Sequence, residues 1–420
     1  MSSEEGYLDR MLYSMIRDEL SVPKLGLKLI LREFADLGIA LTASQTDKLR
    51  SDLEGENLER LLVRLDDEQG RQLKSVQERD LTTIEVSVGT LDDLPMHVEG
   101  ALEQVLPRVL QAGSDTLLSH WKLQASEVLA EEQSERTEFN EIVREVWGEA
   151  IERLDMLVSV CMDAGARFNN DLREEAAKTN DLVFEALTRL HARGCQVGSE
   201  ILMLLRNGFA DGAHARWRTL HELAVVAMFL GKHGQTVAER YLEHSGITDC
   251  IRAKQYQLHC VALGYPALSP EQLQEVSALR DSLTKKHGDG FAQDYGWAAS
   301  ALPKGRATFA ALEQAVALDH LRPFYKLANV NVHAGSKGLY YRIGTPPEND
   351  NLLLVGSSLF GLADPGQNTA FSIHQLTAAL LFSKPNLDRM AFVQATQMLV
   401  EEAFEALSEA HARLETDSAG

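Results

Sequence analysis

LLRNGFADGAHARWRTLHE, residues 204 to 222, sets three arginines, two histidines and two acids into a segment whose remaining residues have the character of a buried helix. An arginine withdrawn from water must be ion-paired or hydrogen-bonded, since an isolated buried charge is strongly destabilising. With Asp211 as N-cap and a helix running to about Leu230, Asp211, His214, Arg218, His221 and Glu222 recur at three- and four-residue steps and share one face. Arg216 lies nearly opposite, beside Leu220, Leu223 and Ala227. Two readings stay open. In one, this is a polar stripe with an internal Arg218–Glu222 pair at i,i+4, and Arg216 is tied to a carboxylate on another helix. In the other, the stripe lines a functional cleft.

A second constellation follows downstream. A helix over 319–333 would carry Arg322, Lys326, Asn329 and His333 along one side, with Tyr325 adjacent. His333 falls at the helix end, just before Gly335. There the helix dipole stabilises an imidazolium and suits it to proton transfer, although a histidine that only caps the helix has the same spacing.

The rest of the chain reads as helix. Of its 420 residues, 45% are hydrophobic and only 6% aromatic, with abundant Ala, Leu and Glu and few alternating β-branched runs. The expected fold is mainly α: a multi-helix bundle over 165–410 behind a smaller helical N-terminal region over 1–160, a possible partner-binding module. A junction is read at Gly165–Asn170 and a disordered tail at 415–420. Apolar periodicity at Leu27, Ile30, Phe34 and Leu37 marks an early helix, and Ser126–Arg144 reads as a heavily charged, exposed one. Breaks are expected at Gly194, at Asn207–Gly208 and at Gly231–Gly234, and a kink at Pro323 within a helix from about Phe309 to Asn331. Strand character is confined to Leu81–Val88 and to a minor hairpin of Leu339–Ile343 with Leu352–Val355 around Pro346–Pro347.

Composition also excludes function classes. A formal net charge of −21 argues against a broad footprint for duplex DNA or an anionic membrane, leaving only a local basic cleft for nucleic acid. No run reaches the roughly 18 apolar residues of a membrane span, and the start has no signal-peptide pattern, so the expected location is cytoplasmic. Cys161, Cys195, Cys250 and Cys260 lack metal-site spacing and read as free buried thiols. Phosphate-loop, dinucleotide, zinc-protease and nucleophile-elbow motifs are all missing, so no cofactor or metal is expected.

LLRNGFADGAHARWRTLHELAV, with NVNVHAGSKGL downstream, resembles a bacterial family classed as domain of unknown function 5677. The matching positions are Arg206, Gly208, Gly212, Ala213, Arg216, Arg218, Glu222 and His333, and the resemblance spans roughly 165–400. That domain is in turn loosely similar to the HEPN group, many of whose members are metal-independent endoribonucleases of toxin and antiphage systems. In those, an Arg and a His a few residues apart position a phosphate and move protons as a ribose 2′-hydroxyl attacks it. Here Arg216 and His221 would sit about 140° apart on a regular helix, and His333 has Lys326, not arginine, at the matching distance.

If the protein is catalytic, the expectation is phosphodiester cleavage of RNA. Arg218 would hold phosphate, His333 would be general acid or base, and Glu222 would orient the arginine. Arg216, His214, His221, Lys326 and Asn329 would line the substrate site, and the resemblance implies a homodimer. The alternative is a non-catalytic protein-interaction or ligand-sensing protein, in which the same side chains form a buried network that fixes helix register.

Overall fold

The computed structural model describes residues 6–54, 63–76, 94–303, 307–346 and 352–418. The chain divides into two compact units, Met1–Glu132 and Gln133–Gly420. The mainly α expectation holds, and no strand occurs among the described residues. Leu81–Val88 lies outside them. The proposed hairpin does not form: Lys337–Tyr340 is a helical turn and 352–355 is irregular.

The first unit contains α1 (Tyr7–Glu19), α2 (Val22–Asp36), α3 (Ala43–Leu53), α4 (Asp67–Val76) and the first part of α5 (Leu94–Thr179). The periodic residues of α2 do what their spacing requires: Ile30 and Phe34 are buried with Ile39, Leu49 and Leu53, and Leu27 and Leu37 pack against them. Thr42 starts α3 with a capping box, its Oγ1 accepting from the Gln45 amide at 3.3 Å while Gln45 Oε1 accepts from the Thr42 amide at 2.8 Å.

The second unit holds the rest of α5, then α6 (Leu182–Arg206), α7 (Ala210–His233), α8 (Gln235–Glu243), α9 (Ser245–His259), α10 (Pro270–His287), α11 (Phe309–Ala315), α12 (Arg322–Ala328), α13 (Lys337–Tyr340), α14 (Ala363–Phe382) and α15 (Leu387–Ser418). Helix α7 packs against both α6 and α14, and α15 packs on α14. Trp217, Leu220, Ala224 and Phe229 of α7 are fully buried in this core.

Glycine explains where sequence and structure part. Gly194 does not break α6; a Cβ there would fall 2.0 Å from Leu376 Cδ2, so its bare Cα admits α14 at close range. Gly208 does end α6, with φ of +73° and its carbonyl accepting from the Ser358 amide at 2.9 Å. Residues 165–170 are continuous helix within α5, and α15 runs past Leu414 to Ser418.

Helix 309–333 is not one kinked helix. Ala317, in the left-handed region at φ of 58°, follows α11, and 3-10 turns at 319–321 and 329–331 flank the short α12. Pro323 falls in the first turn of α12, where its missing N–H has no carbonyl to bond. Asp211 is not the N-cap of α7 either. Phe209 holds that position, and Asp211 sits within the first turn.

Candidate functional site

The polar face of α7 meets the chain from α11 to residue 344. Tyr325 of α12 is the centre of the first group. Its hydroxyl donates to Glu222 Oε1 at 2.6 Å and accepts from Arg218 Nη2 at 2.7 Å, while Arg218 and Glu222 pair directly at 2.9 Å. The Arg218 guanidinium also lies over the Tyr325 ring, 4.8 Å from its centroid, a cation–π contact. Burial, then the Glu222 carboxylate, pushes the Tyr325 phenol well above its ordinary range; the same two influences raise Tyr295. The phenol is therefore a fixed donor to Glu222.

One turn along, His221 and Glu313 form a second group with neither side chain exposed to solvent. His221 Nε2 lies 3.0 Å from Glu313 Oε1, and Arg322 donates to the other carboxylate oxygen. Only a hydrogen on Nε2 makes the first contact favourable, which assigns that tautomer and leaves Nδ1 without a partner. Trp217, Tyr325 and Phe309 surround the imidazole, with ring centroids 5.3, 5.8 and 5.9 Å away. An acid in a wholly buried position is tolerable here because two cationic or N–H partners converge on it.

Asp211 makes the third tie, accepting from Asn331 Nδ2 at 3.0 Å and from the amides of Ile343 and Gly344 at 3.1 and 3.4 Å. Arg216, on the other face, donates to Glu200 of α6 and to Thr219 at 3.3 Å. His214 is buried and stacked on Trp217 at 5.4 Å; desolvation lowers its pKa against the opposing pull of Asp364 and Asp211.

The eight residues singled out in the sequence thus part company. Arg218 and Glu222 come together, as do His214 and His221 about Trp217. Asn329 is partly buried, and Lys326 and His333 point to solvent. Arg218 takes Tyr325 and Glu222 as its partners, not His333. The sequence reading did not include Glu313 or Asn331, and Tyr325 figured there only as a neighbour. Glu313 carries a weak signal, an acid directly after the apolar run Phe309–Leu312 in FAALEQA.

Among the described residues no three His, Cys, Asp or Glu side chains are grouped so as to hold a metal ion. What the arrangement does is fix α7, α11 and α12 relative to one another through charge and hydrogen bonds.

Residues 184–351 match the model of a family of unknown function, DUF5677. The matched segment runs from α6 past α13 and includes every member of the three polar groups. Helices α14 and α15, which complete the core around it, lie beyond the match, as do the residues before 184. No curated protein and no solved structure matches the chain.

Proposed function

We propose that the chain is a non-catalytic helical interaction protein, in which the polar residues of the DUF5677 segment lock α7 to α11 and α12 and so hold a rigid scaffold for a protein partner. The observation that carries this reading is Glu313, wholly buried and engaged by both His221 and Arg322. A charge so placed suits a structural lock, because the carboxylate has no exposed surface and removing Arg322 would leave it with the imidazole as its one partner.

The endoribonuclease reading asks for an Arg218 free to take phosphate and a His333 within reach of the same phosphate. Arg218 is instead held by Glu222 and Tyr325, and His333 is exposed. The test is to incubate the purified full chain with total cellular RNA in EDTA, beside Arg218→Ala and His333→Ala. Intact RNA with all three proteins, together with an unchanged unfolding midpoint for His333→Ala, supports the lock. Cleavage by the wild type that disappears in folded His333→Ala would overturn it.

A further inference from the structure

In the first unit, α5 leaves its packing after Gly113. Leu8 of α1 reaches that glycine so closely that a Cβ would lie 2.8 Å from its Cδ1, and Ala101, Val105 and Val109 on the preceding turns are buried. From Ser114 onward every side chain to Glu138 is exposed. A solvated helix of this length would be expected to be polar all round. This one is not. Leu110, Leu117, Leu118, Trp121, Val128 and Leu129 recur at three-, four- and seven-residue steps along one side, and Trp121 is 61% exposed. Seven-residue recurrence is the seam of a left-handed two-helix coil, and Ser114 and Ala125 on the same side allow close approach. An isolated helix is marginal in water, and its stability in a protein comes from packing such a stripe.

We propose that this stripe pairs with the same stripe of a second copy of the chain, running antiparallel. Charge decides both the partner and the direction. The seam is flanked by His120 and Lys122 in its middle and by Glu127 and Glu131 toward its C-terminal end. A parallel copy in register would set Glu131, which continues the seven-residue series of Leu110, Leu117 and Gln124, against its own counterpart, a like-charge arrangement in the seam. An antiparallel copy crossing between Trp121 and Gln124 packs Leu117 on Val128 in both directions, brings Glu127 within about half a turn of His120, and leaves Glu131 beside Ser114. The surface is thus self-complementary about a two-fold axis, as an isologous dimer requires.

The test is the mass of the full-length chain by sedimentation equilibrium across a range of concentrations, for wild type and for the double variant Leu117→Asp with Trp121→Asp. A dimer is expected for the wild type, with the dissociation constant raised by about 100-fold or more in the variant. Because these positions are exposed, the variant should keep its helical circular dichroism. Direction is read by cross-linking introduced cysteines: Gln124→Cys, near the axis, should link two copies through a short reagent, and Ser114→Cys, about 25 Å from its mate, should not. A wild type that stays monomeric, a dimer indifferent to the double variant, or efficient cross-linking through both cysteines would overturn the proposal.

Discussion

The hydroxyl of Tyr325 lies 2.6 Å from Oε1 of Glu222, close enough that the phenol serves as a permanent donor to that acid while it accepts from Arg218. Replacing it tests how much of the lock is hydrogen bonding. Tyr325→Phe keeps the ring under the guanidinium and removes both bonds, leaving the direct Arg218–Glu222 pair. The expected loss is about 1–2 kcal/mol, read as a lower urea midpoint at unchanged slope. A midpoint equal to the wild type would show that the ion pair alone suffices.

Glu313 should prove far more costly to remove. Glu313→Ala strands a wholly buried His221 and withdraws the acid that the half-buried Arg322 engages. Breaking a buried pair from one side costs about 3–5 kcal/mol, against about 0.5 kcal/mol or less for the exposed His333→Ala. Equal midpoints for these two variants in urea would remove Glu313 from the lock.

How much of this was legible in the sequence follows from which interactions are local. The i,i+4 spacing of Arg218 and Glu222 lies within one helix, so their pairing could be read directly, as could the buried face of α2 at Ile30 and Phe34. Tyr325 and Glu313 reach α7 across about ninety or more residues of chain, and no periodicity carries that information. The end of α6 at Gly208 was legible because a left-handed residue favours glycine. Gly194 misled, because close packing against Leu376 and helix breaking call for the same residue. The single helix expected to reach His333 failed at Ala317, a residue with no turn preference held in the left-handed region by tertiary context.

Gly208 gives a test of the junction just before α7. Its φ of +73° strains any side chain, and a Cβ would meet the Ser358 carbonyl oxygen at 2.8 Å and the Phe139 ring at 2.7 Å. Gly208→Ala should cost about 1–3 kcal/mol from backbone conformation alone, with the clash added. A fall in melting temperature is expected, and an unchanged melt would show that the 356–361 loop relaxes freely.

His191 makes stability depend on pH. Burial holds its imidazole down at about 4, with Nε2 3.0 Å from Thr377 Oγ1 and Nδ1 3.6 Å from the Cys195 sulfur. The unfolded chain, at the ordinary value near 6.5, takes up the proton first as pH falls. The contribution is therefore whole above about pH 6.5 and is lost progressively down to about pH 4, amounting to about 2–3 kcal/mol by pH 4.5. Burial lowers His374 and His214 in the same direction, so the variant is needed to isolate the effect. Urea unfolding at pH 7 and pH 4.5 should show His191→Gln losing less stability than wild type, and equal losses would refute the assignment.

The same core makes the thiols inert. Burial pushes Cys161 up to about 11, and burial with Cys161 as neighbour pushes Cys195 up to about 12. At pH 8 the Cys161 thiolate would then be about one part in a thousand, and the thiolate is the nucleophile. Cys250 and Cys260 are buried as well, and all four cysteines are free. Ellman's reagent at pH 8 should thus find essentially no reactive thiol in the native chain and all four in denaturant. In between, the labelling rate of each should follow the local opening that exposes it. Cys161 on α5 and Cys195 on α6 should label only on global unfolding, so their rate should fall as the unfolding free energy rises on withdrawing urea. Rapid stoichiometric labelling of either in native buffer would mean that the α5–α6–α14 core opens far more readily than its packing implies.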